Sequence, residues 1–173
     1  MRAATLLAAL ALAGCATVPP AQPGTISGRL ALQVDASQDR AAQSLSAGFD
    51  LSGSAERGEL RLSTPLGTTL AAASWGPGEA RLVTPQGERR FDDLDALSRD
   101  ALGESLPLRA LPDWLRGRPW PGAEQPAQPL QLGPGFAQLG WTIDLARFEA
   151  GQLLAWRAGP PGVRLRVQLD PTQ

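Results

Sequence analysis

From Ile26 onward the apolar side chains recur at every second residue, so the chain must run extended with one face buried. Ile26, Leu30, Leu32 and Val34 alternate with Arg29 and Gln33. The pattern returns in Leu45, Ala47, Phe49 and Leu51, then in Leu60 and Leu62 with Glu59 and Arg61 on the other face. Ser52-Gly53-Ser54, Gly76-Pro77-Gly78 and Pro85-Gln86-Gly87 punctuate the runs, and the segments Thr68 to Trp75 and Glu79 to Thr84 extend them into a six-strand meander. Neighbouring strands this close in sequence are antiparallel, because a parallel pair needs a long crossover. The 19 Gly and 16 Pro residues are in keeping with many tight turns.

At Asp92 the period changes. Between Asp92 and Leu102 the apolar positions 94, 97 and 101 follow helical spacing, acids crowd the start, and Gly103 ends the run. Leu108, Leu111 and Leu115 predict a second short helix stopped by Gly117, with Pro112 limiting it to one or two turns. Residues 118–129 read as a Pro-rich connection. Three further strands are expected over Phe136–Leu145, Gln152–Ala158 and Val163–Leu169. With no internal repeat, the layout predicts a single mainly β domain over residues 25–173, one antiparallel curved sheet with short helices inserted over its opening.

Composition removes most chemistry. The chain has no His, Tyr or Lys, and all 16 basic residues are Arg. That excludes a Ser-His-Asp or Cys-His relay, imidazole metal ligands, a Schiff base and a P-loop lysine. A net charge of −1 lacks the basic surplus of a nucleic-acid binder. Asp92, Asp93 and Asp95 form the densest acid cluster; a calcium or acid-base role can be imagined, but acids at a helix N-terminus answer the macrodipole and the unpaired amides. No metal, no cofactor and no catalytic machinery is expected, so the chain is not read as an enzyme.

The first residues, MRAATLLAALALAGC, place one Arg before an apolar run, then small residues, then the only cysteine. This is the order of an export signal, and the run is shorter than the roughly 20 apolar residues that a membrane-spanning helix needs. Leu12-Ala13-Gly14-Cys15 resembles the bacterial lipobox. Residues 1–14 are therefore expected to be removed and Cys15 to be lipidated, with residues 15–24 a Pro-rich tether. Ala16, where an Asp would resemble an inner-membrane retention mark, points to the periplasmic face of the outer membrane.

Trp75, Trp114, Trp120, Trp141 and Trp156 either line a lipid cavity or form plain core, and Trp120, flanked by prolines, is expected near the surface. The helical residues Leu94, Leu97, Leu111, Trp114 and Leu115 either cap a cavity or fill a core. Candidate lining from the strands is Leu30, Leu32, Phe49, Leu51, Leu62, Trp141, Ile143 and Trp156.

The run Arg61-Leu62-Ser63-Thr64-Pro65-Leu66-Gly67-Thr68-Thr69-Leu70 is followed in order by Asp92-Asp93-Leu94-Asp95-Ala96-Leu97, Leu106-Pro107-Leu108 and Trp114-Leu115-Arg116-Gly117. Behind a lipobox, this ordered set resembles the outer-membrane lipoprotein receptor family LolB. The resemblance implies an unclosed β-barrel with a helical lid over an apolar cavity. It implies a monomer that takes lipoproteins from the soluble periplasmic carrier LolA by their acyl chains and inserts them into the outer-membrane lipid. It also implies a membrane-delivery loop, matched by Pro65, Leu66 and Gly67, with the apolar tip at Leu66. A structural or assembly lipoprotein that binds protein partners through a filled barrel is the alternative from a different class.

Overall fold

The computed structural model describes residues 24–171. The expected leader 1–14, Cys15 and the tether as far as residue 23 lie outside the described residues. Six strands come first: β1 (Ile26–Val34), β2 (Gln43–Gly53), β3 (Gly58–Ser63), β4 (Thr69–Gly76), β5 (Glu79–Thr84) and β6 (Gly87–Phe91). Helices α1 (Leu94–Leu102) and α2 (Leu111–Trp114) follow, then β7 (Gln128–Pro129), β8 (Gly135–Gln138), β9 (Trp141–Asp144), a 3-10 turn (Phe148–Ala150), β10 (Gln152–Arg157) and β11 (Val163–Leu169).

All of these strands join one antiparallel sheet in the order β6-β5-β4-β3-β2-β1-β11-β10-β9-β8-β7. Pairing β1 with β11 brings the two halves of the chain together, and the end strands β6 and β7 do not pair with each other. The barrel is therefore unclosed. Both edges are poor templates for further pairing: β6 carries Glu88, Arg89 and Arg90, and β7 is two residues long and ends in Pro129, which has no N–H to donate.

The alternation sets the register. Leu32 lies opposite Leu45 on β2 and Leu165 on β11, Leu30 opposite Ala47 and Val167, and Phe49 opposite Leu62. These inward residues face one core, with Arg29, Gln33, Arg164 and Arg166 on the other surface.

One expected strand was two. Phe136–Leu145 folds as the hairpin β8–β9 around Leu139-Gly140, with φ values of 54° and 76°. The buried set shifts from Phe136 and Gln138 to Trp141 and Ile143 across that turn. An even-to-odd change of parity cannot occur within one regular strand, so the turn is needed to put both pairs on the core face, although Ala137, Leu139, Trp141, Ile143 and Leu145 alternate in sequence straight through it. Such a two-residue turn favours Asn or Gly where Leu139 stands.

Helix α1 starts at Asp93, whose side chain accepts the Ala96 N–H at 2.7 Å, and ends at Gly103, whose N–H donates to the Arg99 carbonyl at 2.8 Å. Gly103 has φ +76°, and a Cβ there would collide with the Arg40 guanidinium. Asp95 accepts the Ser105 hydroxyl at 3.0 Å, so the acid cluster works as a cap and a loop tie. Leu94 and Leu97 are buried where α1 packs on β5 and β6. Pro112 falls in the first turn of α2, where its missing N–H leaves no helical bond unmade.

Candidate functional site

An apolar cavity of about 80 Å³ lies between the concave face of the sheet and the segment that runs from the end of α1 through α2. Its floor comes from β1, β2, β3 and β11: Leu30 and Leu32, Leu45 and Phe49, Leu60 and Leu62, Leu165 and Val167. Its roof is Leu102, Leu106, Pro107, Leu108, Leu111, Trp114 and Leu115, with Trp141 of β9 at the side. Every lining residue is apolar. Water gains nothing there because it needs two to four polar partners, whereas hydrocarbon does.

The roof is held by polar contacts at its margins. Gln138, 5% exposed, accepts the Trp114 indole N–H at 2.9 Å and the Trp120 backbone N–H at 3.0 Å, and donates to the Trp120 carbonyl at 2.9 Å. One amide on β8 thus fastens both ends of the segment 114–120, and Trp120 is half-buried as a result. Trp114 also meets Phe136 edge-on at 6.5 Å and Trp141 at 6.2 Å between ring centroids. At the other margin Arg157 of β10 pairs with Glu104 at 2.6 Å and lies over the Trp141 ring. Buried Ser98 accepts the Leu106 N–H at 3.0 Å, which ties the roof to α1.

Away from the cavity, the β3–β4 connection is a tight turn. The Gly67 N–H donates to the Thr64 carbonyl at 2.9 Å, the Thr64 N–H to the Thr68 carbonyl at 2.8 Å, and the Thr68 N–H to the Thr64 hydroxyl at 3.2 Å. Pro65 and Leu66 occupy the two central positions, and Gly67 follows at φ +84°, a conformation suited to glycine. The register slips between Leu62 and Ser63 beside this turn. Leu66 is left 94% exposed.

The family model described as Outer membrane lipoprotein LolB matches residues 24–169, from the start of the described chain to the last residue of β11. The chain belongs to the LolB family. Proteins named Outer-membrane lipoprotein LolB include one from Bordetella pertussis, 38% identical over all of this chain and 93% of its own length. Another from Thiobacillus denitrificans is 33% identical over all of this chain and 98% of its own. A third, from Ralstonia nicotianae, is 40% identical over 76% of this chain and 69% of its own.

In this LolB-family chain not every expected lining residue reaches the cavity. Leu30, Leu32, Phe49, Leu62, Leu111, Trp114, Leu115 and Trp141 face it, but Leu51, Leu94, Leu97, Ile143 and Trp156 do not. Leu51, Leu94, Leu97 and Ile143 are at most 3% exposed and are packed core. Leu94 and Leu97 are used up by the contact of α1 with β5 and β6, and Ile143 is flanked in register by Phe136 and Ala155. Trp156 stands on the opposite face of β10 from buried Leu153 and Ala155, between Thr142 and Arg164 on the outer surface. Period-two alternation already carried Leu45, Leu60, Leu165 and Val167, which complete the floor. Leu102 closes α1 and Leu108 already stood in the spacing of the second helix, Leu106 and Pro107 sit between the two helices where that spacing lapses, and no local signal marked Gln138 as the fastening of the roof.

Proposed function

We propose that this protein is an outer-membrane receptor that accepts lipoproteins from a periplasmic carrier of the LolA kind, shelters their acyl chains, and passes them to the membrane. No bond is made or broken. The carrying observation is the wholly apolar cavity beneath a roof held by polar contacts at its margins. Family membership supports it, since the relatives are named as outer-membrane lipoproteins. Without nucleotide chemistry, transfer must run downhill in binding free energy. Each methylene taken from water contributes about 0.8 kcal/mol, so a modest difference in how much acyl chain each site covers sets the direction.

At about 80 Å³ the cavity has room for a few chain carbons only, so entry requires the roof to rise from the sheet. The Glu104–Arg157 pair at the margin, with side chains about a quarter exposed, must part as the roof lifts, and the water that then reaches both charges offsets part of the lost attraction. The same small volume is the observation that favours the second reading, a filled barrel that binds protein partners and no lipid. Titrating the mature protein with a fluorescent fatty-acid probe separates the two. Saturable uptake that competing fatty acid reverses is expected; a probe left in water would establish the filled barrel.

In this reading residues 1–14 are the leader, Cys15 carries the lipid, residues 15–24 are a tether, and residues 25–173 form a monomeric acyl-binding domain. Cys15→Ser is expected to yield an unacylated precursor that does not fractionate with the outer membrane, because the thiol alone receives the first lipid. Intact mass and detergent partitioning check this. Acyl mass on the Ser variant would overturn the anchor.

A further inference from the structure

Two leucines of the described chain are almost wholly exposed: Leu66, and Leu132 at 91%. Leu132 lies in the loop between β7 and β8, closed where the Leu130 N–H donates to the Gly135 carbonyl at 3.2 Å and bent at Gly133, φ +81°. Leu130 tucks back half-buried, so Leu132 alone points away from the body of the domain. Nothing in the packing needs a leucine there. Residues 125–143 contain no Asp, Glu, Arg or Lys, and Asp144, opposite Gly135 at the base of the loop, is engaged by the Ala146 N–H at 2.8 Å.

Strand direction places this loop. Gly135 is aligned through Asp144, Leu154 and Arg166 with Ala31, and the chain before it continues toward the start of β1. Leu132 therefore leaves the sheet on the side from which β1 begins, the side of Gly24. Leu66, beyond Ser63 on β3, leaves in the other direction, toward the end of β1. Between Cys15 and Gly24 the chain spans at most about 32 Å even fully extended. The side of Gly24 is thus held close to the bilayer whenever Cys15 is anchored.

We infer that Leu132 is a second membrane-contact residue, seating the anchor-side end of the domain in the outer-membrane surface independently of Leu66. The inference rests on the anchored-receptor reading. Leu66 touches lipid at delivery; Leu132 holds the empty receptor on the bilayer, and its insertion needs no cargo.

With Cys15 acylated, a cysteine introduced at 132 is the only free thiol. The full lipidated chain carrying Leu132→Cys, labelled with an environment-sensitive fluorophore, is reconstituted without cargo into phosphatidylethanolamine–phosphatidylglycerol vesicles containing nitroxide lipids. Gln86→Cys, on the exposed β5–β6 turn at the side of Leu66, is the control. Flotation with the vesicles is scored first. In floating protein the label at 132 is expected to be quenched by nitroxide lipid several-fold more than the label at 86. Equal quenching in floating protein overturns the inference and leaves the receptor reading standing. Shielding of the 132 label from aqueous iodide without lipid quenching identifies a protein contact and also overturns it. Failure to float overturns the anchor reading and this inference together.

Discussion

Replacing Leu66 with Glu is expected to leave acceptance of a lipoprotein from its carrier unchanged while delivery to membranes falls by roughly tenfold to a hundredfold. The size follows from the side chain's position. At 94% exposure Leu66 contributes nothing to the folded core, so the variant should keep its unfolding midpoint. Burying a leucine in the apolar boundary of a bilayer contributes about 1.5–3 kcal/mol, which a carboxylate forgoes while adding the cost of desolvating a charge. Leu66 itself does not line the cavity, whose nearest residue along the chain is Leu62 of β3, so loading is insulated from the change. Leu66→Ile should deliver almost normally. Transfer from loaded carrier and release into liposomes, measured separately, decide the matter; equal loss of both steps, or of neither, refutes the loop's role.

Gln138→Leu is expected to lower stability by about 3 kcal/mol while making uptake of a fatty-acid probe faster. Leucine has nearly the right volume but leaves the indole N–H of Trp114, itself 1% exposed, with no partner, along with the backbone N–H and carbonyl of Trp120. A buried donor left unpaired costs about 1–3 kcal/mol, and the half-buried Trp120 groups add less because water reaches them. The sheet keeps its register, since Gln138 meets Trp141 through the backbone. The weakened contact is the one between roof and sheet, so the closed form loses more than the opened one. A urea midpoint and the rate of probe entry test the two halves. Unchanged stability would show that the bonds are not made in solution; lost stability with unchanged entry would show that the roof opens elsewhere.

How much of this was legible in the residues depends on the range over which each feature is decided. Strands, tight turns and the ends of α1 follow from period-two alternation, Gly and Pro punctuation, and a cap at Asp93 answered by Gly103, all settled within a few residues by local backbone sterics and hydrogen bonding. The β8–β9 turn was not locally legible: apolar Ala137, Leu139, Trp141, Ile143 and Leu145 alternate without a break across it, and only the burial of Phe136 and Gln138 reveals the change of face. In Leu153-Leu154-Ala155-Trp156 apolar groups fall on both faces, so alternation could not orient Trp156; pairing with β9 and β11 did. The LolB resemblance and the absence of His and Lys bounded the function from the sequence alone.

Only the tertiary structure decided which inward side chains meet a void and which meet one another. Leu62 and Leu51 share the same face and the same chemistry, yet Leu62 lines the cavity and Leu51 is packed core. A cavity is the small difference between the space enclosed by the sheet and roof and the volume of the side chains that fill it. That difference depends on the spacing of distant elements, set by close packing over the whole concave face. The Gln138 bonds to Trp114 and Trp120 are of the same kind, spanning 24 and 18 residues, and exist only once the sheet has curved enough to bring β8 beneath the roof.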